Sequence, residues 1–260
     1  MSTAALLLPG TVENVDRRVL GAFRLVDSIT GSTVAAPLVV TSAQLTLRQN
    51  RSGIWVVFNG PGFTPLTNSF DPPAVLPAAQ PFTLSIQDPS GQYLPRQATV
   101  NMPAPLTPAS DPASVFNPQA ITMFASAGAP LGVNWAVVRA SVMRAVPAQA
   151  LGNALLRVIR TSDNSLLATG MTDARGEALL AVPGLGVRAG SNAGGPVLEA
   201  TTAVSIVASF DSNQFAQPAG TLPNPDQLLA NLAAATVKTT AQTAQLGAGL
   251  SISLAFSIAV

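Results

Sequence analysis

The chain has 260 residues, thirteen Lys or Arg against twelve Asp or Glu, a net charge of +1, and 48% hydrophobic but only 10% charged residues. Its scattered charges form no basic stripe that could follow phosphates or an anionic membrane, so nucleic acid is excluded as an expected partner. No run reaches the roughly 18 apolar residues of a membrane helix, so membrane insertion is not expected either. With neither Cys nor His, disulfides, thiolate metal sites, Cys nucleophiles and His general bases are absent.

Taken in chain order, residues 1–10 contain an apolar run that lacks a preceding base and breaks at Pro9. The run is too short for a signal-peptide core and reads as mature sequence. The expected location is cytoplasmic synthesis without a signal peptide, with exit, if any, as part of a released particle. Residues 18–26 form an expected strand, followed by a turn at Asp27-Ser-Ile-Thr-Gly31. A second strand is expected over 38–48, where Leu45 and Leu47 alternate with Thr46 and Arg48. The continuous apolar run 53–58 reads as a central strand buried on both faces. Strands at 82–86 and 96–102 flank an Asp88-Pro-Ser-Gly91 turn and close a first domain, residues 1–102.

Residues 103–120 are rich in Pro, Ala and Ser and read as a linker stiffened by its prolines. The second domain, 121–260, is expected to hold strands at 135–142, 154–160, 166–172, 177–182 and 197–210, with two more at its end. One short helix is expected at 226–235, where Pro225 and Asp226 stand at a start position and Leu228, Leu229 and Leu232 share a face. The fold class is all-β: two β-sandwich domains joined by a Pro-rich linker, with one short helix near the C-terminus.

The stretch 154–182 runs strand, polar turn, strand, then Thr172-Asp173-Ala174-Arg175-Gly176 and a third strand. It resembles the carboxypeptidase regulatory-like, or transthyretin-like, β-sandwich, in which Thr-Asp-x-x-Gly joins two strands. The resemblance implies a sandwich and is nearly silent on function, since such modules serve as accessory, adhesive, shell and tail parts. The chain as a whole is similar to accessory structural proteins of phage-tail-like contractile injection particles.

Acid-base chemistry without His would fall to carboxylates such as Asp163, Asp173, Glu177 and Asp211, each in a turn signature or at a strand edge, which favours turn roles. No Asp-x-Asp-x-Asp run offers clustered oxygens to calcium. The glycine-rich stretch 184–190 lacks dinucleotide spacing and a following helix, and reads as a loop. The single lysine, Lys238, has no Ser-x-x-Lys partner. No catalytic, cofactor or metal residue is therefore assigned. Trp55, inside its apolar run, reads as core, whereas Trp135 at a strand start is the candidate ligand contact.

Residues 52–70, 112–138 and 239–260 contain no charged residue. Natural β-proteins guard exposed edges with charge, lysine above all. At the chain end Ile252, Leu254, Phe256, Ile258 and Val260 define one face and Ser251, Ser253, Ala255, Ser257 and Ala259 the other, a period-two strand. The large face is expected in a core. The small face either is solvated within its own sandwich or touches a neighbouring subunit. The expected function is a non-enzymatic structural protein that docks into an assembly of protein subunits, itself included, with Ser251, Ser253, Ala255, Ser257 and Ala259 as contacts. The alternative is a ligand-binding or adhesive β-sandwich module for a glycan or a protein surface, with Trp135 as the candidate contact.

Overall fold

A computed structural model describes residues 18–68, 75, 77–185, 201–218 and 220–260. The reading of residues 1–10, residues 197–200 of the strand expected at 197–210, and most of the glycine-rich stretch 184–190 lie outside the described residues.

Alternating large and small side chains between short turns dictate strands throughout. The first half contains β1 (Gly21–Asp27), β2 (Val39–Thr41), β3 (Thr46–Gln49), β4 (Ile54–Asn59), a one-turn α1 (Thr64–Thr67), β5 (Gln80–Gln87), β6 (Arg96–Met102) and β7 (Gln119–Met123). There follow β8 (Ala136–Arg144), β9 (Gln149–Ala150), β10 (Leu155–Arg160), β11 (Leu166–Met171), β12 (Glu177–Val182) and β13 (Thr202–Asp211). A 3-10 turn (Ser212–Ala216), α2 (Pro225–Ala230), β14 (Val237–Leu246) and β15 (Ser251–Ile258) complete the chain. The fold is all-β, and its short C-terminal helix is present.

Sheet β3-β4-β1-β7 and sheet β2-β5-β6 share one core, to which β1 gives Phe23 and Leu25, β5 gives Phe82, Leu84 and Ile86, and β6 gives Ala98, Val100 and Met102. A second core lies between sheet β12-β8-β15 and sheet β11-β10-β13-β14, with Val138 and Val142 from β8, Leu180 from β12, Ile206 and Phe210 from β13, and Phe256 and Ile258 from β15. Each such buried Val, Leu, Ile, Met or Phe side chain contributes about 1.5–3 kcal/mol of transfer free energy. A third cluster joins Leu94 and Phe124 from the first half to Leu155, Met171, Leu228 and Val237 from the second.

Four expectations change. The single strand expected at 38–48 is two strands in different sheets, β2 beside β5 and β3 beside β4. Ser42 makes the crossing, because its hydroxyl donates to Thr83 O and accepts the amides of Gln44 and Leu45. The run 53–58 is not buried on both faces. Only Val57 of β4 is buried, while Trp55 stacks on Phe23, with parallel rings 6.3 Å apart. The guanidinium of Arg48 lies 5.8 Å from the outward ring of Phe58.

The linker expected at 103–120 is a folded-back loop that ends in a strand. Val115 N donates to Pro105 O, and the Asn117 side chain bonds the carbonyls of Ala109 and Asp111. The loop returns the chain to pair β7 parallel to β1, with Leu25 opposite Ile121. Ile121 and Met123 thereby join the first core, so residue 121 does not open a second unit. Parallel neighbours need a long crossover, and here the chain runs through β2 to β6 and this loop before it returns to β1. Finally, α2 begins at Pro225 and ends at Ala230, short of the expected 235. Asn224 caps it by accepting the Gln227 amide, and the chain must then turn through Ala234 to deliver Val237 to β14.

Candidate functional site

The carboxylates of the turns are spent on their own backbones. Asp27 Oδ1 accepts the amides of Ile29 and Thr30, Asp163 Oδ1 that of Ser165, Asp173 Oδ1 those of Arg175 and Glu177, and Asp211 Oδ1 that of Asn213. Hydrogen bonds from the Ser165 hydroxyl and amide, with Arg160 adding a smaller pull, lower the Asp163 carboxyl to about 2. Partial burial alone would raise Asp88, yet the Ser90 hydroxyl and the amides of Tyr93, Ser90 and Gln92 hold it below its ordinary value. Glu177 pairs with Arg175 at 2.9 Å. A carboxyl held below its ordinary value, as those of Asp88 and Asp163 are, is a poor proton shuttle near neutral pH. Among the described residues no group of three or more acids comes together to hold a metal ion.

The Thr172-to-Gly176 element is built as a structural corner. The buried Thr172 hydroxyl donates to Leu151 O and accepts from Ala154 N. Gly176 takes a positive φ of 75° while its amide donates to Asp173 O. Its Cα faces Val142 O so closely that a Cβ there would stand 2.5 Å from that oxygen.

Trp135, the candidate ligand contact, is half-buried just ahead of β8. Gly132 lies against its ring, so that an added Cβ would stand 2.4 Å from Cε2. With Asp27, Gln92 and Tyr93 it lines a pocket of about 50 Å³, far below the roughly 300 Å³ at which ligand pockets begin. The Tyr93 hydroxyl donates to Asp27 Oδ2 at 2.7 Å, tying the turn after β5 to the end of β1.

Burial, that hydrogen bond and the negative charges of Asp27 and Asp88 push the Tyr93 phenol well above its ordinary value. The fold therefore favours the protonated phenol. The stability it adds is fully present below about pH 10 and declines as pH rises beyond it, because the unfolded chain ionises first. Tyr93 is the single tyrosine, so tyrosinate absorbance reads it alone. That signal should rise together with alkaline unfolding rather than as an earlier separate step, and Tyr93→Phe should flatten the stability decline over the same range.

The small face of the C-terminal strand is exposed. Ser251, Ser253, Ala255, Ser257 and Ala259 are all open to solvent, whereas Phe256 and Ile258 are buried and Ile252, Leu254 and Val260 pack against the core. Strand β15 is also a sheet edge, paired only on one side, parallel to β8. Leu250 O accepts from Val137 N and Ile258 O from Ala145 N, so the even-numbered residues turn their backbone groups to β8. Those of Ser251, Ser253, Ala255 and Ser257 then point away along the open edge. One of them is met, the Ala255 carbonyl, by Gln242 Nε2 of β14 at 2.6 Å. The neighbouring outer face carries charge that the linear pattern hid: Arg139 stands opposite Ser253, and Glu177 lies beyond Ser141.

A junction that no local pattern announced joins the two halves. Between β13 and β14 the chain runs out as a strap, whose α2 packs Leu228 into the third cluster. Pro223 O accepts the Gln97 amide, and Asn224 Nδ2 donates to Thr99 Oγ1, so the strap lies along the edge strand β6. At its end Arg96, 0% exposed, donates through Nη2 to Asp226, whose side chain is 51% exposed. Arg96 also donates to the carbonyls of Gln97 and Thr122 and sits over the Phe124 ring. Burial lowers the Arg96 pKa, and the Asp226 charge opposes that shift.

No protein-family model matches the chain, and no curated protein sequence matches it. Among solved structures it is similar to the Bacillus anthracis TIE protein, at 9% identity and a TM-score of 0.26 over 93% of this chain and 34% of that one. The chain thus spans about a third of that protein's length. It is also similar to GBS52, the minor pilin of Streptococcus agalactiae, at 7% identity and a TM-score of 0.27 over 92% of this chain and 95% of that one. The shaft pilin SpaA of Lactobacillus rhamnosus GG matches at 9% identity and a TM-score of 0.25, covering 92% of this chain and 97% of the pilin.

Proposed function

We propose that the protein is a non-enzymatic structural subunit that docks into a multi-subunit assembly through the β15 edge. The observation that carries this reading is the coincidence on one strand of an exposed small face, no charged side chain of its own, and an outer edge whose backbone groups, the Ala255 carbonyl apart, are left open to a partner. An edge of this kind is a template for strand addition, which proteins that remain alone usually blunt with lysine or proline. The small residues allow close approach of a partner backbone, while Arg139 and Glu177 flank the stripe as polar rim. Turn-bound carboxylates and the lack of His and Cys support a role without chemistry. The finer version of this reading is a subunit of a phage-tail-like or contractile injection particle, tested by mass spectrometry of what sediments with the protein from native extract.

The test of docking is direct. A protein carrying Ser253→Lys and Ser257→Lys is expected to keep the native circular dichroism spectrum but to lose its place in large complexes, as followed by sedimentation. A photo-crosslinking side chain at Ala255 is expected to capture a protein partner. A native protein that remains monomeric at high concentration, and captures nothing from that position in its own extract, would sink the proposal.

A further inference from the structure

The strap between β13 and β14 does more than lie on β6. Together with β6 and the turn before β10 it lines an open cleft of about 360 Å³, within the roughly 300–1,000 Å³ typical of small-molecule sites. Six carboxamide residues line it: Gln97, Asn153, Gln214, Gln217, Asn224 and Gln227. They come from β6, the turn before β10, the 3-10 turn and its exit, and the start of α2, so neither half of the chain builds the site by itself.

Two of the six hold the walls in place. Gln214 Nε2 donates to Asn153 O at 3.4 Å, and Asn224 is engaged with Thr99 and with the Gln227 amide. The carboxamides of Gln97, Asn153, Gln217 and Gln227 make no hydrogen bond among the described residues. Asn153 is oriented by a positive φ of 65°. Pro218, Pro223 and Leu222 supply apolar wall between the amides, and the prolines limit how far the strap can move.

The chemistry of that lining selects its ligand. No acid or base lines the cleft, and the nearby Arg96 is buried and already paired with Asp226. Phosphates, carboxylates, amines and metal ions would therefore meet no counter-charge. Each free carboxamide offers two N–H donors and one carbonyl acceptor side by side. A hydroxyl is donor and acceptor at once, so a ring of hydroxyls with a C–H face matches both the amides and the apolar wall. We infer that this inter-sheet cleft is a binding site for a neutral saccharide, read by Gln97, Asn153, Gln217 and Gln227. Such a site would make the assembled protein adhesive, and it does not depend on the β15 edge.

The experiment is a titration of nitrogen-labelled full-length protein with the neutral trisaccharides maltotriose, cellotriose and chitotriose, after a screen on a neutral glycan array. The side-chain amide resonances of Gln97, Asn153, Gln217 and Gln227 are expected to shift with one of these probes. Gln217→Ala and Gln227→Ala, both at exposed positions where the side chain supports nothing else, are each expected to weaken binding by about tenfold, the loss of one neutral hydrogen bond. The Ser253→Lys, Ser257→Lys protein is expected to bind the saccharide as the native protein does, which separates this site from assembly. Absence of any saccharide response, binding that both alanine variants leave unchanged, or a response to a capped Gly-Gly peptide in place of every saccharide would each overturn the inference.

Discussion

Asp226→Asn is expected to destabilise the protein by about 3 kcal/mol, the lower end of the cost of breaking a buried ion pair, because one partner of the pair is itself half exposed. The substitution keeps the shape of the side chain and removes only its charge, leaving the guanidinium of Arg96 fully buried without a counter-ion. Its remaining bonds to the carbonyls of Gln97 and Thr122 and its place over Phe124 solvate the guanidinium without neutralising it. Urea denaturation measures the loss. Amide exchange should locate it first in α2 and in the strap, whose other anchors are single hydrogen bonds and the burial of Leu228. Adding Arg96→Met to the Asn variant should recover part of the stability, since an apolar side chain of similar reach tolerates burial better than a lone charge. A loss below about 1 kcal/mol would instead assign the pair the small worth of an exposed salt bridge.

Gly176→Ala is the second large effect. The residue holds φ at 75°, where a side chain costs about 1–2 kcal/mol. The new Cβ would also stand 2.5 Å from Val142 O and 3.2 Å from Leu151 N, both backbone atoms of the strand and turn that pack against this corner. Backbone cannot rotate away as a side chain can, so steric strain of about 1–3 kcal/mol is added. The sum, about 2–5 kcal/mol, should appear as a lowered denaturation midpoint with loss of exchange protection in β8 and β12. Gly184→Ala is the control. That glycine has a similar φ of 72° but nothing within 4 Å of the added carbon, so its cost should stay near the backbone share alone. Equal losses at the two positions would refute the role of the Val142 contact.

Local chemistry was legible wherever it closes on itself. β6 and β12 fall at the residues expected from alternation, 96–102 and 177–182, and the Asp-led turns at 27, 88, 163, 173 and 211 are all built by the aspartate accepting nearby amides. Reading went astray where a distant element decides. The apolar run at 53–58 carries the same residue types whether one or both of its faces are covered. Only the uncovered outer side of sheet β3-β4-β1-β7 leaves Ile54, Val56 and Phe58 half-buried. Ile121 looked like the beginning of a new unit because a Pro-rich stretch precedes it, yet it pairs back to β1 across nearly a hundred residues. The strand expected at 38–48 broke because Ser42 bonds a different sheet from the one that Thr46 joins.

The chain by itself determined the class of the fold, the position of most strands, the turn roles of its acids and the separation of β15 into a large and a small face. These follow from period-two alternation and from hydrogen bonds within a few residues. Tertiary structure decided that β15 is an edge whose small face is exposed, that Arg139 and Glu177 border it, and that Arg96 meets Asp226. It also decided that carboxamides from both halves gather in one cleft. Pairing between strands and contacts between sheets depend on which elements become neighbours, and a residue's spacing along the chain carries no record of that.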